Sequence, residues 1–163
     1  MENPFRTIFQ ALSEAGIRYL VAGGVAVNLH GYLRFTGDLD ILLALDKENL
    51  EKMASLMRTM GYIERLPVQL EALANQEQVK QWLAEKGMTA YTFISKENPP
   101  FMIDVLVGTS LQFERFDQQK ELKQSWGIAI PVISMDDLIG MKREASRPQD
   151  LTDIDAMLEL KKL

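Results

Sequence analysis

The segment Asp38-Leu39-Asp40-Ile41-Leu42-Leu43-Ala44-Leu45 puts two carboxylates at the mouth of an otherwise apolar strand, and it constrains this chain more than any other feature. Side chains two apart on a strand share a face, so Asp38 and Asp40 point one way and Leu39 the other. Two like charges on a buried strand are unfavourable unless something neutralises them, and a divalent cation is the obvious neutraliser. A third acid, Asp104, interrupts a second apolar strand, Phe101-Met102-Ile103-Asp104-Val105-Leu106-Val107. If the two strands are neighbours, the three carboxylates converge. That arrangement suits oxygen-seeking Mg²⁺ and the paired-metal geometry of in-line phosphoryl transfer. The other such pair, Asp153 and Asp155, reads as two acids on an exposed helix.

Upstream, Ile17-Arg18-Tyr19-Leu20-Val21-Ala22 reads as a buried strand that runs into Gly23-Gly24 and a short apolar helix, Val25 to His30, closed by Gly31. Missing β-carbons at a strand-to-helix turn let a phosphate approach the backbone, and the helix start offers free N–H donors. Arg34-Phe35-Thr36-Gly37 then leads into Asp38, so the acids stand beside the glycine turn with Arg34 available for a triphosphate. His30 reads as a helix-end residue.

The remaining pattern is a helix over 5–15, a helix from about 47 to 60, a short strand at 62–66, and a polar helical stretch over 68–86 in more than one piece. Strands at 88–95 and 101–107 follow, joined by a hairpin loop at 96–100, and a helical segment lies near 111–119. The run 127–133 is expected as an edge strand because it contains Pro131. Ser134 is expected to cap one helix, and a last helix runs from about Pro148 to Lys161. The sum is an α+β or α/β domain spanning 1–163: a small mixed sheet flanked by helices, with a core at about 17–133 and C-terminal helices at about 134–162.

Composition narrows the chemistry. There is no cysteine and one histidine, which removes thiol catalysis, thiolate zinc sites and most Ser-His machinery. The formal net charge of −5 gives no overall field for nucleic acid or an anionic membrane. The start Met1-Glu2-Asn3-Pro4-Phe5 lacks a basic and apolar leader, and no apolar run approaches the roughly 20 residues that span a bilayer. A cytoplasmic protein without membrane contact is expected.

As a set, Val21-Ala22-Gly23-Gly24, then Asp38-Leu39-Asp40, then Ile103-Asp104-Val105 resembles the signature of the nucleotidyltransferases of the DNA polymerase β superfamily. Arg34 to Asp40 is similar to the Arg-x-Ser/Thr-x-Asp-x-Asp of the AbiEii-type branch, which includes toxins of toxin–antitoxin pairs. Lys142, Arg147, Asp150 and Asp153 look like that branch's later Lys and Arg/Asp cluster. The resemblance spans about residues 17–155.

It implies a nucleotidyltransferase fold and transfer of an NMP from an NTP to an unidentified hydroxyl-type acceptor, with release of pyrophosphate. Asp38, Asp40 and Asp104 would be catalytic and hold Mg²⁺, or Mn²⁺ in its place. Gly23, Gly24, Arg34, Thr36, Lys142 and Arg147 would bind nucleotide phosphate. The acceptor would be a small molecule, protein or RNA, and an antitoxin is an expected partner. The alternative is a catalytically idle module that binds NTP or a partner.

Two departures stand out. Position 24 is Gly where many members carry Ser, and 64 positions separate Asp40 from Asp104, mostly because of the stretch 68–86, expected to shape the acceptor site.

Overall fold

A computed structural model describes residues 3–108 and 111–163. The Met1-Glu2 part of the leader reading lies outside the described residues. The elements in chain order are α1 (Pro4–Glu14), β1 (Tyr19–Ala22), α2 (Gly23–Leu29), β2 (Leu39–Leu43), α3 (Lys47–Thr59) and β3 (Ile63–Glu64). A 3₁₀ turn (Leu70–Ala74) leads to α4 (Gln76–Lys86), β4 (Ala90–Ile94) and β5 (Met102–Leu106). The chain ends with α5 (Phe113–Gln118), β6 (Glu121–Ser125), β7 (Ile128–Val132), α6 (Met135–Ala145) and α7 (Pro148–Lys161).

The seven strands form one mixed sheet in the order β3-β4-β5-β2-β1-β7-β6. The β2/β5 and β1/β7 pairs are parallel and the other four antiparallel. Sheet and helices together give the expected mixed α/β architecture. Every residue of β1 is buried, as are all of β2 except Asp40, because helices cover the centre of the sheet. Asp40 therefore lies on one of the two most buried strands of the fold, next to the other.

Local chemistry sets the helix starts. Asn3 accepts from the Phe5 N–H at 2.9 Å with Pro4 in the first turn of α1, which buries Ile8, Phe9 and Leu12. Asp46 caps α3 by accepting from the Asn49 N–H. Buried Asn49 in turn donates to the Arg18 and Ala44 carbonyls and accepts from the Arg18 N–H, stitching the start of β1 to the end of β2. Ser134 caps α6 as expected, accepting from the Asp137 N–H at 3.1 Å.

The expectation for 127–133 needs correction. β7 is not an edge: it lies between β1 and β6, and β6 is the edge. Pro131 is tolerated because the β1/β7 ladder is short, in register only at Val21↔Val132, with the next donor being the Ile133 N–H to Val21 O. β6 escapes sequence detection because Glu121-Leu122-Lys123-Gln124-Ser125 has no buried residue, and polar edge strands carry little hydrophobic pattern. Its signal is the turn: Trp126 and Gly127 both take positive φ, as a two-residue hairpin loop requires. Among the described residues, no helix is long and apolar enough to cross a membrane.

Candidate active site

Three side chains form a row across neighbouring strands of one face. Thr92 on β4 registers with Asp104 on β5, and Asp104 registers with Asp40 on β2. Asp40 in turn registers with Ala22, the last residue of β1, immediately before Gly23. Because registered partners point to the same side, the sheet itself delivers Asp40, Asp104 and the glycine turn to one place. Asp38 sits one residue before β2, half-buried at the rim.

Gly23 has φ +61, and a β-carbon there would lie 2.0 Å from Asp40 Oδ2. Only glycine lets the carboxylate rest over the start of α2. At Gly24, a β-carbon would meet Thr36 Oγ1 at 2.7 Å and the Arg34 guanidinium nitrogens at 3.0 and 3.1 Å. The space a serine side chain would need at position 24 is thus filled by the Arg34–Thr36 loop folded over the turn. The Thr36 hydroxyl faces the Asp38 carbonyl at 3.4 Å.

Opposite stands a wall of charge built by α6 and α7. Arg34 forks onto Asp153, Nε to Oδ1 and Nη2 to Oδ2, both at 2.9 Å. Lys142 Nζ reaches Asp153 at 2.9 Å and Asp150 at 3.3 Å, Arg147 Nε reaches Asp150 at 2.8 Å, and Gln149 donates to Asp153. Asp153 is fully buried and Lys142 nearly so. The reading of Asp153 and Asp155 as an exposed pair is corrected: Asp155 is exposed, but Asp153 is the anchor of this network. Burial alone would raise the carboxyls of Asp153 and Asp150. The hydrogen bonds from Arg34, Lys142 and Gln149 to the first, and from Arg147 and Lys142 to the second, override this and hold both below the usual carboxylate range.

All nine residues assigned from the sequence to catalysis, metal or phosphate, Gly23, Gly24, Arg34, Thr36, Asp38, Asp40, Asp104, Lys142 and Arg147, line one cleft of about 480 Å³. Arg34 reaches it already committed to Asp153, whereas the Arg147 side chain is 76% exposed beside its partner Asp150. His30 is the helix-end residue expected: it closes α2, and its Nε2 donates to Ile133 O at 2.8 Å.

Sequence reasoning missed Thr92, whose hydroxyl donates to Asp104 Oδ1 at 2.5 Å, and the structural weight of Asp150 and Asp153. A signal existed for the latter. Asp150, Asp153, Ile154 and Met157 form one buried helical stripe, and acids inside such a stripe require partners.

The cleft's electrostatics bear on the expected divalent ion. Burial, then the charges of Asp104 and Asp38, push the Asp40 carboxyl up to about 7, with Lys142 pulling the other way. Asp38 is raised by burial and by Asp104. Among the described residues no three of the His, Asp and Glu side chains already form a ready chelate. The donor set nonetheless fits a hard cation: carboxylate oxygens that repel one another, in an open cleft, beside a cationic wall that does not pair with them.

A pH dependence follows. Asp40 holds its proton more tightly when folded than when unfolded, so its contribution to stability is full below about pH 4 and is lost as pH rises through about 7. Asp150 and Asp153, with lowered values, contribute fully across that window and lose their contribution only below it. The metal-free protein is expected to melt at lower temperature at pH 8 than at pH 5.5, with Asp40→Asn flattening the slope. Thermal scans across that range check this, and an unchanged slope in Asp40→Asn contradicts it.

Three solved structures share this fold. A lincosamide antibiotic adenylyltransferase, LnuA, bound to lincomycin is 15% identical with a TM-score of 0.63, covering 98% of each chain. An antigenic nucleotidyltransferase-like protein from Paracoccidioides brasiliensis is 16% identical with a TM-score of 0.60, covering 94% of this chain and 73% of its own. ANT(2″)-Ia in complex with adenylyl-2″-tobramycin is 12% identical with a TM-score of 0.55, covering 94% of this chain and 84% of its own. No curated protein sequence matches significantly. The family model described as nucleotidyl transferase AbiEii toxin, type IV TA system, matches residues 6–163, nearly the whole chain, and the protein belongs to this AbiEii nucleotidyltransferase family.

Proposed function

We propose that the protein is a Mg²⁺-dependent nucleotidyltransferase that moves an NMP from an NTP onto a hydroxyl-type acceptor, acting in the cytoplasm as the toxin of a pair with an antitoxin partner. The observation that carries this reading is the register that sets Asp104 beside Asp40 and both beside the side-chain-free turn at Gly23.

Asp38 and Asp40, with Asp104, would hold the divalent ions. When bound, Mg²⁺ or Mn²⁺ supplies charge neutralisation for the triphosphate and its transition state. Gly23 and Gly24 leave the backbone open for phosphate, and the wall of Lys142 and Arg147 faces the charge that develops. Thr36 and Arg34 fix the loop that roofs the turn. Asp104, oriented by the Thr92 hydroxyl at Oδ1, would accept the acceptor's proton. The acceptor oxygen then bonds to the α-phosphorus, the bond from that phosphorus to the pyrophosphate oxygen breaks, and pyrophosphate leaves.

Incubation of the purified protein with α-labelled NTPs and Mg²⁺ or Mn²⁺, against total RNA, protein extract and hydroxyl-bearing small molecules, tests this. Labelled acceptor and stoichiometric pyrophosphate are expected. Tight Mg²⁺-dependent NTP binding with no label moved to any acceptor would favour an idle binding module.

A further inference from the structure

A second cavity, of about 290 Å³, is lined by Leu66, Trp82 and Met88 and by Thr92, the residue that holds Asp104. Thr92 therefore links the two places: its hydroxyl holds Asp104 of the cleft, and it lines this pocket. Arg65 and Lys86 stand in the lining, and the Arg65 N–H donates to Thr92 O, which fixes that residue beside Thr92. Both side chains are exposed, and among the described residues neither makes an ion pair.

Three carboxylates lie in the cleft, while Arg65 and Lys86 stand at the apolar, aromatic-walled pocket, with Glu64 and Glu71 near Tyr91, whose hydroxyl bonds Val68 O in the pocket lining. Cations without an ion pair, standing beside an apolar pocket with an aromatic wall, suit a ligand that carries both a ring and an acid group. We infer that this pocket receives the acceptor, and that the acceptor is a small ring-bearing compound with an acid group, carboxylate or phosphate, at the end away from its reacting hydroxyl. The ring lies against Trp82, the acid meets Arg65 and Lys86, and the three carboxylates repel that acid, so the hydroxyl end points at Asp104. A polycationic acceptor meets the wrong charge at the mouth. The inference rests on the nucleotidyltransferase reading for the pocket's role, but its binding chemistry stands separately.

The test uses the full chain and four probes of one shape: phenyl phosphate, benzoate, benzyl alcohol and benzylamine, followed by ligand-observed NMR titration. The two anions are expected to bind about ten-fold tighter than the alcohol and the amine. Arg65→Glu/Lys86→Glu should erase that preference while leaving benzyl alcohol unchanged, and Trp82→Ala should weaken all four. The ratio of phenyl phosphate to benzoate tells which acid is preferred. Asp38→Asn/Asp40→Asn should leave anion binding intact, so a failure of the metal and nucleotide reading is seen separately, as loss of Mg²⁺-dependent NTP binding in the wild type. Equal affinity for benzoate and benzylamine, insensitivity to the charge reversal, or no binding of any probe at millimolar concentration overturns the inference.

Discussion

Asp153→Ala is expected to lower the stability of the folded protein by about 3–5 kcal/mol, a large part of the 5–15 kcal/mol typical of a domain. Asp153 is fully buried and accepts four charge-bearing or amide donors: two from Arg34, one from Lys142 and one from Gln149. Removing it leaves Lys142 buried with only the longer contact to Asp150, and it releases Arg34 from the roof of the glycine turn. The loss includes more than one hydrogen bond, because an uncompensated buried ammonium carries its whole desolvation penalty. Asp155→Ala, two residues further on the exposed side of α7, is the control and should fall within about 0.5 kcal/mol of wild type. Urea unfolding followed by circular dichroism measures both. Similar small losses for the two variants contradict the account of the charge wall.

The second large effect is on catalysis. Asp40→Asn keeps the size of the side chain over Gly23 but removes a charge from the row that faces Asp104. A fall in NMP transfer of about a thousand-fold or more is expected, roughly 4 kcal/mol of transition-state stabilisation. The same change should raise the metal-free melting temperature at pH 8, because burial and the neighbouring acids already push that carboxyl toward its neutral form. The two shifts have opposite signs, which separates lost chemistry from lost folding. Reduced activity together with reduced stability would point to a structural role for Asp40.

Much of this site was legible because the acids interrupt strands that are otherwise fully apolar. Asp40 and Asp104 stand out against Ile41, Leu42, Leu43 and Ile103, Val105, and the strands' burial made adjacency the natural arrangement. Gly23 was legible as a turn, but not as the position whose missing β-carbon makes room for Asp40, since that depends on the β1/β2 register. Other features depend on partners remote in sequence. Arg34 and Asp153 are 119 residues apart, and no local pattern around Arg34 declares that its guanidinium is already held. Thr92 is unremarkable among Tyr91 and Phe93 until the β4/β5 register sets it against Asp104. The polar strand β6 failed for the opposite reason: with no buried face it leaves nothing for a hydrophobic pattern to record.

The most direct measurement is isothermal titration of ATP and of GTP into wild type and Asp40→Asn, each with Mg²⁺ and with EDTA. The wild type is expected to bind at least one nucleotide in a way that requires Mg²⁺ and disappears in Asp40→Asn while that variant stays folded. Nucleotide binding that survives both EDTA and the Asp40 substitution, or its absence from the wild type under every condition, would contradict the assignment of this cleft.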